Sequence, residues 1–227
     1  MPGSLPNPAL GVLRSLLRWF FHHLYHSMAW AYDFVASAVS IGRWFQWIDL
    51  VIPFLQGERV LELGHGTGHL QKQLAGMQGI TSFGLDESRQ MAELTKRRAL
   101  VSGNAAPRLV QAVARAMPFP PATFDSIVAT FPTEFIFQSI PLHEVHRMLK
   151  SGGRLVVLPL AWIVGSSLFE KAAAWLFAFT RQVPPSPEEW IGAKLAQPLE
   201  AVGFKVEVRR LEAMQSIALV VVATKMM

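Results

Sequence analysis

The string Val60-Leu61-Glu62-Leu63-Gly64-His65-Gly66-Thr67-Gly68 gathers the residues best suited to chemistry. A short apolar run with strand character enters a turn that has glycine at every second position, and a helical segment follows. Without Cβ atoms, such a turn can fold tightly and bring its backbone against a ligand. In open α/β sheets the ligand lies beyond the carboxyl ends of the strands, where this turn would sit. Eighteen residues after Gly68, at the end of the next apolar run, stands Asp86. A carboxylate there is placed to accept hydrogen bonds from both hydroxyls of a ribose. The nicotinamide-dinucleotide fingerprint is spaced G-x-G-x-x-G. Here the spacing is G-x-G-x-G, with an acid at Glu62 ahead of it, which disfavours a nicotinamide oxidoreductase.

The elements that must carry these residues alternate in type. Strands are expected at Arg59–Leu63, Ile80–Leu85, Leu109–Val113, Phe124–Thr130 and Arg154–Leu158. Helices are expected at Gly68–Ala75, Glu87–Val101 and Ile140–Leu149, the last stopped by Ser151-Gly152-Gly153. This alternation implies a mostly parallel sheet with right-handed crossovers. After Pro159 it pauses. An apolar helix over Ser166–Arg181, a Pro184-Pro185-Ser186-Pro187 turn and a helix from Glu188 to Ala201 precede two final strands, Phe204–Arg209 and Ile217–Thr224.

Composition narrows the function. The 227 residues include no cysteine, which removes disulfides, thiolate metal sites and cysteine nucleophiles. His22 and His26 are four apart with no acid nearby, so no metal site is expected. Net charge is +5 and only 16% of residues are charged. That excess suits anionic surfaces, but no Lys/Arg run or aromatic–basic interleaving points to nucleic acid. No stretch reaches the roughly 18 uncharged apolar residues needed to span a bilayer, and the proline-bearing start lacks a signal-peptide layout. A cytoplasmic protein is expected, with a peripheral membrane contact as one reading. That contact would use residues 9–28, where Arg14, Arg18, His22 and His26 share one helical face and Trp19, Phe20 and Phe21 lie among the apolar remainder. Such a helix either caps the active site or lies among lipid headgroups.

The glycine string with Glu62 and Asp86 resembles motif I of the class I S-adenosylmethionine-dependent methyltransferases. The resemblance continues through Ala114 to Phe119 with Phe124-Asp125-Ser126-Ile127-Val128, and through His143 to Leu155, HEVHRMLKSGGRL. Upstream, Tyr32-Asp33 and Ser40-Ile41-Gly42-Arg43-Trp44 resemble the opening segment of the ubiquinone/menaquinone-type C-methyltransferases. The resemblance implies a Rossmann-like three-layer α/β sandwich, with a seven-stranded, mostly parallel sheet, an antiparallel final strand and an N-terminal helical cap. Residues 1–56 would form the cap and 57–227 the cofactor-binding domain, with a helical lid over about 160–201. It further implies that S-adenosylmethionine is bound by Tyr32, Glu62, Gly64, His65, Gly66, Gly68, Asp86, Glu87, Val113, Ala114 and Thr130, and leaves as S-adenosylhomocysteine. Glu62 would hold the cationic methionine end, and Tyr32 would belong to a lid. Val113 stands where many relatives carry an acid near the adenine. The asparagine usual after the Tyr-Asp pair is missing.

Methyl transfer from a sulfonium needs alignment and exclusion of water more than it needs particular side chains. His65 and Glu134 are the candidate bases, His65 in the glycine turn and Glu134 after the fourth strand. His69 is expected to be structural, and His143 and His146 to lie at the surface. Phe131, Phe135, Phe137, Trp162, Trp175, Phe177 and Phe179 make the expected acceptor a hydrophobic small molecule, quinone-like or lipid-like. The competing reading is a binding or assembly subunit that keeps the fold without catalysis.

Overall fold

The computed structural model describes residues 40, 42–101, 107–132, 134–164, 195–213 and 215–226. The amphipathic segment 9–28, Tyr32 and the expected helix Ser166–Arg181 lie outside the described residues. In chain order the elements are α1 (Trp44–Asp49), β1 (Arg59–Leu63), α2 (His69–Ala75), β2 (Thr81–Asp86), α3 (Arg89–Val101), β3 (Arg108–Gln111), β4 (Phe124–Thr130), α4 (Ser139–Met148), β5 (Leu149–Ile163), α5 (Gln197–Ala201), β6 (Phe204–Ala213) and β7 (Ser216–Lys225).

The seven strands form one sheet in the order β3-β2-β1-β4-β5-β7-β6. The pairings from β3 through to β5 are parallel, and β7 runs antiparallel to both of its neighbours. Central strands read as continuous apolar runs because helices cover both faces. Alternation along β1 shows this: Leu61 and Leu63 join a core with Ile127, Leu142, Val145 and Met148, whereas Val60 joins the opposite core with Trp47, Leu70 and Leu74. The edge strand β6 instead exposes Lys205, Glu207, Arg209, Arg210 and Glu212, charges that discourage further strand pairing.

Among the described residues the expected strands and helices occur in the expected order, with shifted bounds. β3 stops at Gln111, so Val113 lies beyond it. β5 is far longer than Arg154–Leu158. The helix before it ends at Met148, and Leu149 is already extended (φ −73°, ψ 139°). Ser151-Gly152-Gly153 therefore sits inside β5, where the β4 pairing jumps from Phe124↔Leu149 to Ser126↔Arg154. Pro159 also falls within β5, where the register with β7 slips between Val157 and Leu160. Proline has no N–H to give a ladder, so it is tolerated at such an irregularity.

α1 is integral to the sheet's packing. Trp47 is fully buried in the core with Val60, Leu70 and Val128. Around it the segment is fastened at three points. Arg43 Nη1 donates to the Gln215 carbonyl and to Ser216 Oγ, both at 3.3 Å. Trp44 stacks on Phe131 with centroids 4.4 Å apart. Asp49 Oδ1 accepts from His69 Nε2 at 2.8 Å. Ser216 pairs with Ile163 at the carboxyl end of β5, Phe131 follows β4, and His69 follows the turn after β1. The segment thus crosses the carboxyl ends of three parallel strands. Trp47→Ala should cost about 3–5 kcal/mol and melt the sheet domain in one transition at lower temperature; thermal unfolding followed by circular dichroism checks this, and an unchanged midpoint would contradict it.

Candidate cofactor and acceptor site

The glycine turn adopts left-handed backbone at each glycine: Gly64 (φ +69°), Gly66 (φ +50°) and Gly68 (φ +83°). The three have different surroundings. A Cβ on Gly64 or Gly66 would meet no atom of the described residues within 4 Å, so among these residues both face open space at the carboxyl end of β1. A Cβ on Gly68 would collide with Thr95, because here the turn is pressed onto α3.

Hydrogen bonds from several elements hold the turn. Gly64 N–H donates to the Leu85 carbonyl (2.7 Å), and Gly66 N–H donates to Asp86 Oδ2 (3.0 Å). Thr95 Oγ1 donates to the Gly66 carbonyl (3.1 Å), and Arg98 Nη1 to the Thr67 carbonyl (3.3 Å). Asp86 uses its other oxygen, Oδ1, to accept from Ser88 N–H (2.9 Å). Sequence reasoning missed Thr95, Ser88 and Arg98. Each acts across a long sequence interval or through the backbone, and no local pattern marks such a contact.

Glu62 is 2% exposed. Gln71 Nε2 donates to Glu62 Oε2 (2.8 Å) and to the Phe83 carbonyl (3.1 Å). That second bond fixes which end of the Gln71 amide faces Glu62. Gln71 Oε1 is left buried without a hydrogen-bond partner. Burial pushes the Glu62 carboxyl up to about 8, against the pull of the Gln71 bond and with help from the Asp86 charge. Near neutral pH the free domain therefore carries Glu62 mainly as the neutral acid, next to the open glycine face.

His65 is turned into the protein. Its ring is 3% exposed, packs beside Gly84, and places Nδ1 2.9 Å from the Gly66 carbonyl and 3.4 Å from Thr95 Oγ1. Burial holds this imidazole below the ordinary histidine range, although the Asp86 carboxylate pulls the other way. Its Nε2 has no hydrogen-bond partner among the described residues. His69 is tied to Asp49 and tilted against Phe45. His146 packs edge-on to Phe204, and His143 is exposed with Nδ1 on the Ser139 carbonyl.

The remaining expected residues surround the same edge. Glu87 is exposed, and its carbonyl accepts from Gln111 Nε2 (3.1 Å). Val113 is 37% exposed after β3, and Ala114 is half-buried beside it. Ala112 N–H donates to the Asp86 carbonyl (3.2 Å), which draws this loop against the end of β2. Thr130 ends β4, and Glu134 begins the 3-10 turn Glu134–Phe137. These residues fit an adenosyl sulfonium amino acid: an acid at the end of β2 for hydroxyls, an open glycine face, a second acid for an ammonium group, and an apolar loop for a purine.

Comparison with known proteins agrees. A family model described as a methyltransferase domain matches residues 61–157. The ubiquinone/menaquinone biosynthesis C-methyltransferase of Geotalea uraniireducens is 32% identical over 142 residues, covering 60% of each chain. Its counterpart in Escherichia fergusonii is 35% identical over 145 residues, covering 60% of this chain and 57% of that one. The match thus spans under two thirds of these curated relatives. Among solved structures, a SAM-dependent methyltransferase from Aquifex aeolicus covers 79% of this chain and 89% of its own (20% identity, TM-score 0.55). A geranyl diphosphate methyltransferase in complex with SAM covers 80% and 85% (15%, 0.57), and the cyclase SpnF 81% of each (17%, 0.57). At such identities the structural likeness establishes the fold, and the fold hosts more than one chemistry. Residues 61–157 match the methyltransferase-domain model, and they are set within a sheet that extends to residue 225.

Proposed function

We propose that the protein transfers a methyl group from S-adenosylmethionine to a hydrophobic small molecule, a quinone-like or lipid-like acceptor. The observation that carries this is the pairing of an open glycine turn with a buried acid on either side, Glu62 and Asp86. When bound, the cofactor supplies an electrophilic methyl on a cationic sulfur. In this reading Asp86 fixes the ribose, Glu62 faces the ammonium group, and the Val113-Ala114 loop covers the purine without an acid. The chain's part would be to hold the acceptor's nucleophilic atom in line with that methyl group, whose transfer would leave the sulfur as a neutral thioether. The proton lost by the acceptor passes to a base at the β4 edge, for which Glu134 is the candidate. His65, neutral and turned inward, braces the turn. The C-methyltransferase relatives support a quinone-like acceptor, and the basic amphipathic segment 9–28 supports reaching it at a membrane surface. Among the described residues no helix is long and apolar enough to cross a membrane.

Labelled methyl transfer from S-adenosylmethionine to a panel of hydroquinones and polar phenols tests the reading; label confined to polar phenols would overturn the acceptor class. Asp86→Asn, which keeps one acceptor oxygen for the turn but loses the charge, should weaken S-adenosylhomocysteine binding about tenfold or more, as expected for a charged hydrogen-bond partner. Calorimetric titration reads this loss, and unchanged affinity would remove the ribose assignment.

A pH dependence also follows. The neutral acid of Glu62 must lose its proton to pair with an ammonium, so affinity rises with pH up to about 8. The ligand's own α-amino group begins to deprotonate near there. Below that point the apparent Kd should change about tenfold per pH unit, the slope of a single proton. The free protein moves the other way: a raised folded-state pKa gives stability that is full below the unfolded value, near 4.5, and is lost as pH rises through about 8. Glu62→Gln should flatten both profiles, as titration and melting across pH 6–8 would show.

A further inference from the structure

Gln71 is a polar side chain at a place where a helix packs on a sheet. It is 2% exposed and is buried from α2 together with Leu70 and Leu74. Its amide donates to Glu62 Oε2 (2.8 Å) and to the Phe83 carbonyl (3.1 Å). Its Oε1 is buried with no hydrogen-bond partner among the described residues. A leucine would fill this place without burying an unsatisfied carbonyl, so packing does not account for the amide. Buried polar atoms in that condition call for another explanation, a role in a functional site among them.

His65 does not account for the amide either. A Cβ on Gly84 would lie 3.3 Å from Gln71 Cδ and 3.0 Å from His65 Cδ2, so amide and imidazole share the space that this glycine leaves open. The Gly66 carbonyl, 2.9 Å from His65 Nδ1, can only accept. The network therefore assigns the ring proton to Nδ1, and Nε2 of the neutral ring is an acceptor. Gln71 Oε1 is an acceptor too, so the two have no hydrogen bond to exchange. The amide instead serves Glu62. Gly84 stands opposite Glu62 in the β1–β2 pairing, and its missing side chain lets the amide reach the sheet there.

We propose that Gln71 is a positioning residue for the ligand's amino-acid end: it clamps Oε2 of Glu62 against the sheet and turns the carboxyl's other oxygen toward the ammonium group. This rests on the function proposed above. The Phe83 carbonyl holds the amide in turn, so Gln71 presents N–H and not C=O to the acid. An N–H donor favours the carboxylate over the neutral acid, and the carboxylate is the form that pairs with an ammonium. Burial raises the Glu62 carboxyl to about 8, the Gln71 bond opposes that rise and the Asp86 charge adds to it. The other titratable groups on the packed elements are His65 on the turn, His69 on α2, bound to Asp49 of α1, and the exposed Lys72. β4 sets Val128 opposite Glu62.

The test compares S-adenosylhomocysteine with 5′-methylthioadenosine, which shares its purine, ribose and thioether but lacks the amino acid. Gln71→Met keeps the side chain's length and removes the donor. By calorimetric titration at pH 7 it should bind S-adenosylhomocysteine about tenfold or more weakly, the scale of a hydrogen bond to a charged group, and bind 5′-methylthioadenosine as the wild-type chain does. In the free chain the Glu62 side-chain carbon-13 resonance, assigned with Glu62→Gln, should titrate about one pH unit or more above the wild-type midpoint, the same free energy read as a pKa. In the wild-type chain the Gln71 side-chain amide protons should shift with the Glu62 midpoint, a readout that stands even if the variant fails to fold. Equal loss of both ligands, an unchanged Kd for S-adenosylhomocysteine or an unmoved Glu62 midpoint overturns the proposal. So do Gln71 amide protons that ignore the titration of Glu62. Binding of neither ligand by the wild-type chain counts against the function itself, and the clamp is then decided by the Glu62 titration in the free chain.

Discussion

Asp86 is engaged from two directions, by the Gly66 amide on one oxygen and the Ser88 amide on the other. That carboxylate is the pin on which the ligand edge depends. It ties the glycine turn after β1 to the start of α3 after β2, two segments that otherwise diverge at the end of the sheet. Buried carboxylates are costly without such donors. With them, the acid is held in a fixed pose at the end of β2, beside the glycine turn. The same pin places Gly64 and Gly66 with their missing side chains toward open space, while Gly68 closes onto Thr95. The turn is therefore open on one side and packed on the other.

The second acid is managed differently. Glu62 accepts from the amide of Gln71, and burial, with a smaller push from the Asp86 charge, drives it toward its neutral form. The two acids therefore meet the turn in different surroundings, Glu62 buried with an amide donor from Gln71 and Asp86 with two backbone donors. The strap formed by α1 completes the edge. It buries Trp47 in the sheet's core and lays Trp44 on Phe131, so the packing that stabilises the sheet also shapes the face beside the turn.

Much of this was legible in the sequence where the signal is local. The alternation of strands and helices, the glycine spacing and the acid eighteen residues on depend on short-range chemistry, and they placed Glu62, the three glycines and Asp86 together. What was not legible depends on distant partners. Nothing near Gln71 or Thr95 in the chain shows that one meets Glu62 and the other the glycine turn. Ser151-Gly152-Gly153 has the composition of a helix stop, yet strand pairing with β4 absorbs it as an irregularity inside β5. Trp44 reads equally as part of a separate cap until its contact with Phe131 is seen. The inward pose of His65 is set by Gly84 and Thr95 on other elements, and composition alone left it a candidate base.

The glycine turn with its two flanking acids is the proposed binding site for an adenosyl sulfonium amino acid. A crystal structure of the full chain grown with S-adenosylhomocysteine would test that assignment. Both ribose hydroxyls should lie on Asp86, the ammonium group toward Glu62 and the purine against Val113 and Ala114. A well-ordered structure with no ligand at the turn, or with the ribose placed away from Asp86, would contradict it.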